Sequence, residues 1–362
     1  MIPIFADKHY PSETMSPEAL DAYLAKGWYR MGQTIFTTHF LCFQQHFYSA
    51  IWVRLELADY QFGKRARKLL RRNARQFRYE FKKGKIDREK ERLYQRYRRS
   101  FPGMLAPSLK DSLLDGEDQN IYNSLEVAIY DGEKLIAFSF FDLGQESAAS
   151  ILGVYDPDYD RYSLGYYTML LEIQYCLDQE LEYYYPGYVV PGYSRFDYKL
   201  RIGDVEYFDL ASNKWEDFSE LAEEDIPIKK MEMELQQLYR VFRQHNIPCH
   251  IKHYPLFESN LFGFWQAPYF DYPILMHCFP QSNASRFVIA VFDVRHNCYH
   301  LLQCSLLEDF QFFFNESYIQ SFDPSRFFTE LLVVNRYIKS DDTAEALLAF
   351  ILENVRTRKT EE

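Results

Sequence analysis

Short apolar runs punctuated by turn residues dominate the middle of the chain. SLEVAIYDG (124–132), KLIAFSFFDLG (134–144) and AASILGVYD (148–156) predict three successive strands, with Asp131-Gly132 as a tight hairpin turn between the first two. SLGYYTMLLEIQYCLDQE (163–180) predicts a helix with Ser163 as its N-cap, and LEYYYPGY (181–188) a fourth strand. Upstream, SPEALDAYLAKGW (16–28) predicts a helix capped by Ser16, opened by Pro17 and ended by Gly27. AIWVRLELADY (50–60) alternates as a strand does. GKRARKLLRRNARQFRYEFKK (63–83) is helical by composition, and Gly84 separates it from a second helix, IDREKERLYQRYRRSF (86–101). The acidic stretch EDFSELAEEDIP (216–227) reads as a boundary. Beyond it come a helix (229–245), a hairpin (285–294 and 298–307) turning through Arg295, His296 and Asn297, and a closing helix (343–355).

Antiparallel strands, a helix and then another strand are the order of acetyltransferase-like (GNAT) cores. The expected class is therefore α/β (α+β) with a mixed sheet. A basic, helical part spans 1–100, a GNAT-like core about 101–227, and an additional α+β unit of no assigned role 228–362.

Charge changes this picture. The net charge is −11, yet residues 61–100 hold 17 Lys/Arg against 4 Asp/Glu, or +13, which leaves −24 for the rest. One concentrated basic segment in an acidic protein is expected to bind a polyanion through phosphate neutralisation. The expected contacts are Lys64, Arg67, Lys68, Arg71, Arg72 and Asn73. Phe77, Tyr79 and Tyr94 lie among them, to stack on bases or to pack. The N-terminus has no basic region followed by an apolar run, and the most apolar stretch (35–53) contains two His and two Gln. Neither a signal peptide nor a membrane span is expected. The six cysteines form no CxxC pair, so a cytoplasmic protein with reduced thiols is expected.

Metal chemistry finds little support. His296, Cys298 and His300 alternate, and CHIKH (249–253) adds Cys249, His250 and His253. Such alternation in an aromatic-rich region is ordinary, and no metal is expected. Asp156, Asp158 and Asp160 mimic a calcium loop but lack the Glu at the twelfth position. No Gly-rich phosphate loop, HExxH or Ser-His-Asp motif is present. What remains is YPGYVVPGYSRFDYK (185–199), two Pro-Gly-Tyr triplets followed by Arg195 and Lys199. With the helix start at Ser163, the residues describe a turn, a helix N-terminus, a strand, a turn and cations: an anion-tolerant pocket.

These residues resemble the aminoacyl-tRNA–protein transferases, the family of eukaryotic arginyltransferases and bacterial leucyltransferases. YDPDY (155–159) and YYY (183–185) resemble the eukaryotic branch. The second Pro-Gly (191–192), followed by Arg195-Phe196 and Tyr198-Lys199, resembles the bacterial one. GWYRMG (27–32) and RLELADYQFGKRARKLLRRN (54–73) are similar to the family's earlier motifs, so the likeness covers about 16–218. It implies transfer of arginine or leucine from aminoacyl-tRNA to the α-amine of an acceptor protein, tagging it for degradation. Tyr167, Tyr198 and Lys199 are implied as catalytic, and Arg195, Ser163, Gly165 and Arg201 as substrate-binding. Two departures stand out. The family's cysteine cluster is replaced by Gln44, Phe47 and Ala50, with Cys42 and His46 nearby, so neither its metal nor its iron–sulfur cluster is expected. Asp197 stands where arginyltransferases carry Arg. Two other readings stay open: an acyl-CoA-dependent N-acetyltransferase, which would need a glycine-rich turn where only Gly165 is found, and a non-catalytic tRNA-binding protein.

Overall fold

A computed structural model describes residues 5–11, 13–262, 267–280, 286–307 and 316–360. Its largest element is an eight-stranded sheet in the order Lys214–Asp217, Glu206–Asp209, Ile51–Glu56, Tyr183–Val189, Ser147–Tyr155, Lys134–Leu143, Ser124–Asp131 and Arg78–Lys83. Neighbours run antiparallel except Ser147–Tyr155 and Tyr183–Val189, which are parallel. A parallel pair needs a long crossover, and the helix Leu164–Asp178 supplies it. The three predicted strands, the crossover helix and the returning strand all form as expected, giving a mixed α/β core.

One local expectation is corrected and another refined. The basic segment 63–83 is not one helix. It is a helix, Lys64–Ala74, followed by a strand, Arg78–Lys83, at the sheet edge. Phe77 is buried against Ile129 and Ile136, and Phe81 packs on Phe141 and Tyr175. These aromatic anchors pull the chain flat, while Arg78, Lys82 and Lys83 keep the exposed edge from pairing with another chain. Ser163 takes the expected N-cap position of the crossover helix, its carbonyl accepting the Tyr167 N–H at 2.9 Å, but it does not cap through its side chain. It adopts left-handed backbone (φ 52°) at the end of a 3-10 turn, Pro157–Tyr162, and its side chain makes no cap hydrogen bond. That turn is capped at its start by Asp156, whose carboxylate pairs with Lys134 at 2.8 Å and Arg96 at 3.2 Å. The apparent calcium loop is thus a turn that pins the second basic helix, Arg88–Ser100.

Residues after 226 build a second core. A five-stranded antiparallel sheet runs Cys249–His253, Ile274–Cys278, Arg286–Asp293, Cys298–Leu306, Leu332–Asp341. Helix Pro227–Gln244 buries Met231, Leu235, Leu238 and Phe242, one stripe at helical spacing, in the same cluster as Leu347 and Ile351 of helix Ala344–Thr360. Phe5 and Phe40 from the N-terminal part also enter this core.

A buried ion pair ties the N-terminal segment to the main sheet. Arg30 Nη1 lies 2.9 Å from Asp142 Oδ1, with the two side chains 1% and 0% exposed. The guanidinium also donates to Gly32 and Leu113 carbonyls and stacks over the Tyr122 ring.

Candidate active site

The parallel strands stay paired for only three residues, Ser147↔Tyr183, Ala148↔Tyr184 and Ala149↔Tyr185. Beyond that point they part, while the other edge of Tyr183–Val189 stays paired with Ile51–Glu56 to its end, with a register shift between Tyr184 and Gly187. The first Pro-Gly is the cause. Pro186 has no N–H for a ladder, and Gly187 adopts φ 92°, a conformation L side chains rarely take. A Cβ on Gly187 would stand 3.0 Å from Lys199 Nζ. The second Pro-Gly makes the turn itself: Gly192 has φ 84°, and Tyr193 N–H donates to the Val190 carbonyl at 2.9 Å. A 3-10 segment, Ser194–Arg201, then carries the cations back over the split.

Lys199 is half-buried there. Its ammonium donates to the Tyr188 carbonyl at 3.0 Å and lies 5.4 Å from the ring centroids of both Tyr188 and Phe196. Among the described residues it has no carboxylate partner, and desolvation lowers its pKa to about 7. Arg195 stacks over Phe101 at 3.9 Å, just past the end of the second basic helix, and likewise pairs with no described carboxylate. Tyr198 is 36% exposed, yet its hydroxyl is pushed up to about 12, first by desolvation and then by the charge of Glu172, with Arg195 opposing.

Beneath the cations lies a buried polar cluster. Glu172, on the crossover helix, accepts hydrogen bonds from Ser139 and, at 2.6 Å, from Tyr184. Burial pushes it up to about 7 despite those bonds. The Tyr29 hydroxyl reaches the carbonyls of both Ser150 and Tyr185, one on each diverging strand. Neither Tyr29 nor Glu172 is named by sequence reasoning. The signal for Glu172 is present, a lone carboxylate inside the apolar stripe MLLEI. Tyr29 lies within GWYRMG without marking itself.

The implied site residues divide. Lys199, Tyr198 and Arg195 gather at the strand split. Arg201 closes their segment, its carbonyl accepting from Tyr166 at 2.6 Å, which ties the segment to the start of the crossover helix beside Ser163 and Gly165. Tyr167 does not join them. It is fully buried on another face of the helix, against Phe77, Ile129 and Ile136, with no hydrogen-bond partner for its hydroxyl.

In the basic helix, Lys64, Arg67, Lys68, Arg71 and Arg72 are exposed. Asn73 is fully buried and donates to the Tyr162 carbonyl at 2.9 Å, so it holds the helix on the turn before the crossover helix. Tyr94 and Phe77 are core residues, whereas Tyr79 is 39% exposed. Arg195 meets the second basic helix rather than this one, and the two helices flank the same end of the crossover helix through Tyr162 and Asp156.

The positions of the family's cysteine cluster offer few metal donors. Phe47 packs among His253, Phe257 and Phe327, and Ala50 is buried in an apolar cluster. Cys42 has its thiol pushed up to about 11, chiefly by burial. One protonated thiol beside a phenylalanine and an alanine does not fit a metal or an iron–sulfur cluster. The CHIKH histidines and cysteine do not converge either: Cys249 is buried opposite Cys278, while His253 stacks on Phe47. All six cysteines are free thiols, and no described helix is long and apolar enough to cross a membrane.

Comparisons agree with the motifs. Residues 89–209 match the family model described as arginine-tRNA-protein transferase, C terminus. An aspartate/glutamate leucyltransferase of Leptospira interrogans is 30% identical over 207 residues, 56% of this chain and 79% of the relative. One from Vibrio cholerae serotype O1 is 28% identical over 205 residues, 56% of this chain and 84% of the relative. Among solved structures, a GCN5-related N-acetyltransferase-like protein from Streptococcus suis (16% identical, TM-score 0.28, 44% of this chain, 58% of that one) and L-PGS from Bacillus licheniformis (15%, 0.31, 39% and 46%) share the region loosely, too loosely to bear on the chemistry. The family-model match spans the split strands, the Pro-Gly turns and the cations after them, and the leucyltransferase likeness covers most of the relative's length; this chain belongs to the aminoacyl-tRNA–protein transferase family.

Proposed function

We propose that the amino acid transferred is leucine, with arginine the second candidate, and that the acceptor is a cytoplasmic protein beginning with aspartate or glutamate, thereby tagged for degradation. The relatives' name and the length over which they match support this choice. The acceptor's α-amine attacks the ester carbonyl of the aminoacyl-tRNA. A C–N bond forms, the C–O bond to the terminal ribose breaks, and the amine proton ends on the ribose oxygen. The ester is already activated and the amine, with an ordinary pKa of about 7.7–8.0, is partly neutral, so positioning and a modest base suffice.

Lys199 is assigned as that base. A lysine poised near the working pH takes the amine proton when neutral and returns it to the leaving ribose oxygen. Tyr198, held protonated by its raised pKa, donates to the oxyanion. Arg195 reads the acceptor's acidic side chain, and the two basic helices hold tRNA phosphates. The observation that carries the reading is Lys199: a desolvated amine at the strand split, hydrogen-bonded to a backbone carbonyl and, among the described residues, paired with no carboxylate. An acyl-CoA reading is weakened by the segment before the crossover helix, which is a 3-10 turn closed by Ser163 rather than a glycine loop.

The test is incubation with labelled Leu-, Arg- or Lys-tRNA and peptides starting in Asp, Glu or Arg. Label is expected on the Asp and Glu peptides from Leu-tRNA. Absence of transfer from every donor would sink the proposal.

A further inference from the structure

The hairpin between strands Arg286–Asp293 and Cys298–Leu306 gathers three metal-binding groups far along the sequence from the transferase motifs. Asp293 pairs with Cys298 at the end of the ladder, which places His300 diagonally across from Asp293 on the same face. Asn297, at φ 49°, turns the chain so that His296 folds back over Asp293. Ligand atoms of Asp293, His296 and His300 all lie within 4.8 Å of one another. Asp293 Oδ2 is 3.1 Å from His296 Nδ1 and 3.5 Å from His300 Nε2. A tetrahedral ion with bonds of about 2.0–2.2 Å to nitrogen and oxygen has ligand-to-ligand edges of about 3.3–3.6 Å; the 3.5 Å separation falls in that range and the 3.1 Å one lies just below it.

The remaining atoms of two of these side chains are already held. His300 Nδ1 is 2.7 Å from Ser340 Oγ on the next strand, which leaves Nε2 turned toward the cluster. Asp293 Oδ1 accepts the Arg295 backbone N–H at 2.9 Å. Such outer contacts are what orient metal ligands. Cys298 Sγ, 3.7 Å from His300 Nε2, adds a soft donor at the edge. The Tyr272 hydroxyl lies 3.4 Å from Asp293 Oδ2. One cation competes: Arg295 approaches Asp293 with Nε at 3.3 Å and Nη2 at 3.4 Å. Both distances exceed the roughly 2.7–2.9 Å of a strong charge-assisted pair, and the guanidinium is also stacked over Phe5 at 4.1 Å.

We propose that Asp293, His296 and His300 bind one divalent ion of the zinc type, open to solvent on the exposed His296 side. Two imidazoles and one carboxylate suit zinc, and the ion would clip the hairpin to strand Leu332–Asp341 through His300 and Ser340.

The competing account is a pair of histidine–carboxylate hydrogen bonds and no metal. The full chain, stripped with EDTA and dialysed, is titrated with Zn2+ against a chromophoric chelator and with Co2+ by absorption. One molar equivalent is expected, together with a raised Tm in Zn2+. H296Q alters an exposed turn residue and is expected to keep the metal-free Tm while weakening Zn2+ binding at least about 10-fold; H300Q, at a buried position, should weaken binding as much whatever it does to the metal-free Tm. H245Q, at an exposed histidine on another element, should change nothing. Retention of well under one equivalent by the unaltered chain overturns the proposal, as does undiminished affinity in both H296Q and H300Q.

Discussion

The hydroxyl of Tyr29 sits 2.7 Å from the carbonyl oxygen of Tyr185 and also touches that of Ser150, so one side chain bridges two parallel strands where they separate. Tyr29 is 8% exposed and stacks on Trp52. Removing the hydroxyl takes away the one O–H that the two carbonyls share. Y29F should cost about 1–3 kcal/mol of stability, read from urea melts with an unchanged m-value.

Arg195 should govern the choice of acceptor. Its guanidinium is presented on the Phe101 ring with no described carboxylate beside it. R195Q should lower kcat/KM for an Asp-starting peptide by about 10–100-fold, the loss of one hydrogen bond between charged groups, and leave an Ala-starting peptide unaffected. An equal fall for both peptides would show that Arg195 acts on the tRNA end instead.

The basic helix offers a contrast between charge and fold. Arg67 and Arg71 are exposed, and R67E/R71E should weaken tRNA binding and flatten the plot of log K against log salt by about two units or more, with Tm unchanged. Asn73, two positions on, is buried and bonded to Tyr162. N73A should lower Tm, at a cost of about 1–3 kcal/mol, with the salt slope intact.

Much of this architecture is legible in the residues. The Asp131-Gly132 hairpin, the crossover helix and the returning strand follow from turn chemistry and apolar runs, because those signals are local. The misses have distant causes. Cations along 63–83 look helical one residue at a time, yet Phe77 and Phe81 answer to a sheet and a helix dozens of residues away. Tyr167 and Tyr198 are equally plausible hydrogen-bonders on paper. Tyr167 is turned from the cleft because its face of the crossover helix packs with Phe77, Ile129 and Ile136, whereas Tyr198 rides the segment after the second Pro-Gly. The cysteine positions are different again: their replacement is visible in the sequence, but Phe47 lying on His253, Phe257 and Phe327 becomes visible only once the second core is folded.

Arg30 and Asp142 should be the pair least tolerant of single changes. Both are out of water, and removing one strands the other as an unpaired buried charge. R30M or D142L alone should destabilise by about 3–5 kcal/mol, and the double variant by less than the sum. A double-mutant cycle in urea checks this, and strict additivity would remove the pair from the account.

Lys199 makes the sharpest claim about mechanism. Its pKa is lowered to about 7 by desolvation, whereas an unfolded lysine titrates near its ordinary value of about 10.4. Between those two values the unfolded chain binds more protons, so this group's contribution to stability rises with pH through that window and falls away as pH drops toward 7. Kinetically the neutral amine is the working form, so kcat/KM should climb with pH and level off above the two relevant pKa values. Two protons must leave before reaction, one from Lys199 and one from the acceptor's amine. The log plot should therefore approach a slope of two on the acid side. K199R keeps a cation but cannot act as a base near neutrality. It should lose about 100–10,000-fold in kcat, and its acid limb should flatten to a slope of one. Were Lys199 instead an anchor for the acceptor's carboxylate, arginine would restore activity and the slope of the acid limb would be the same in both proteins.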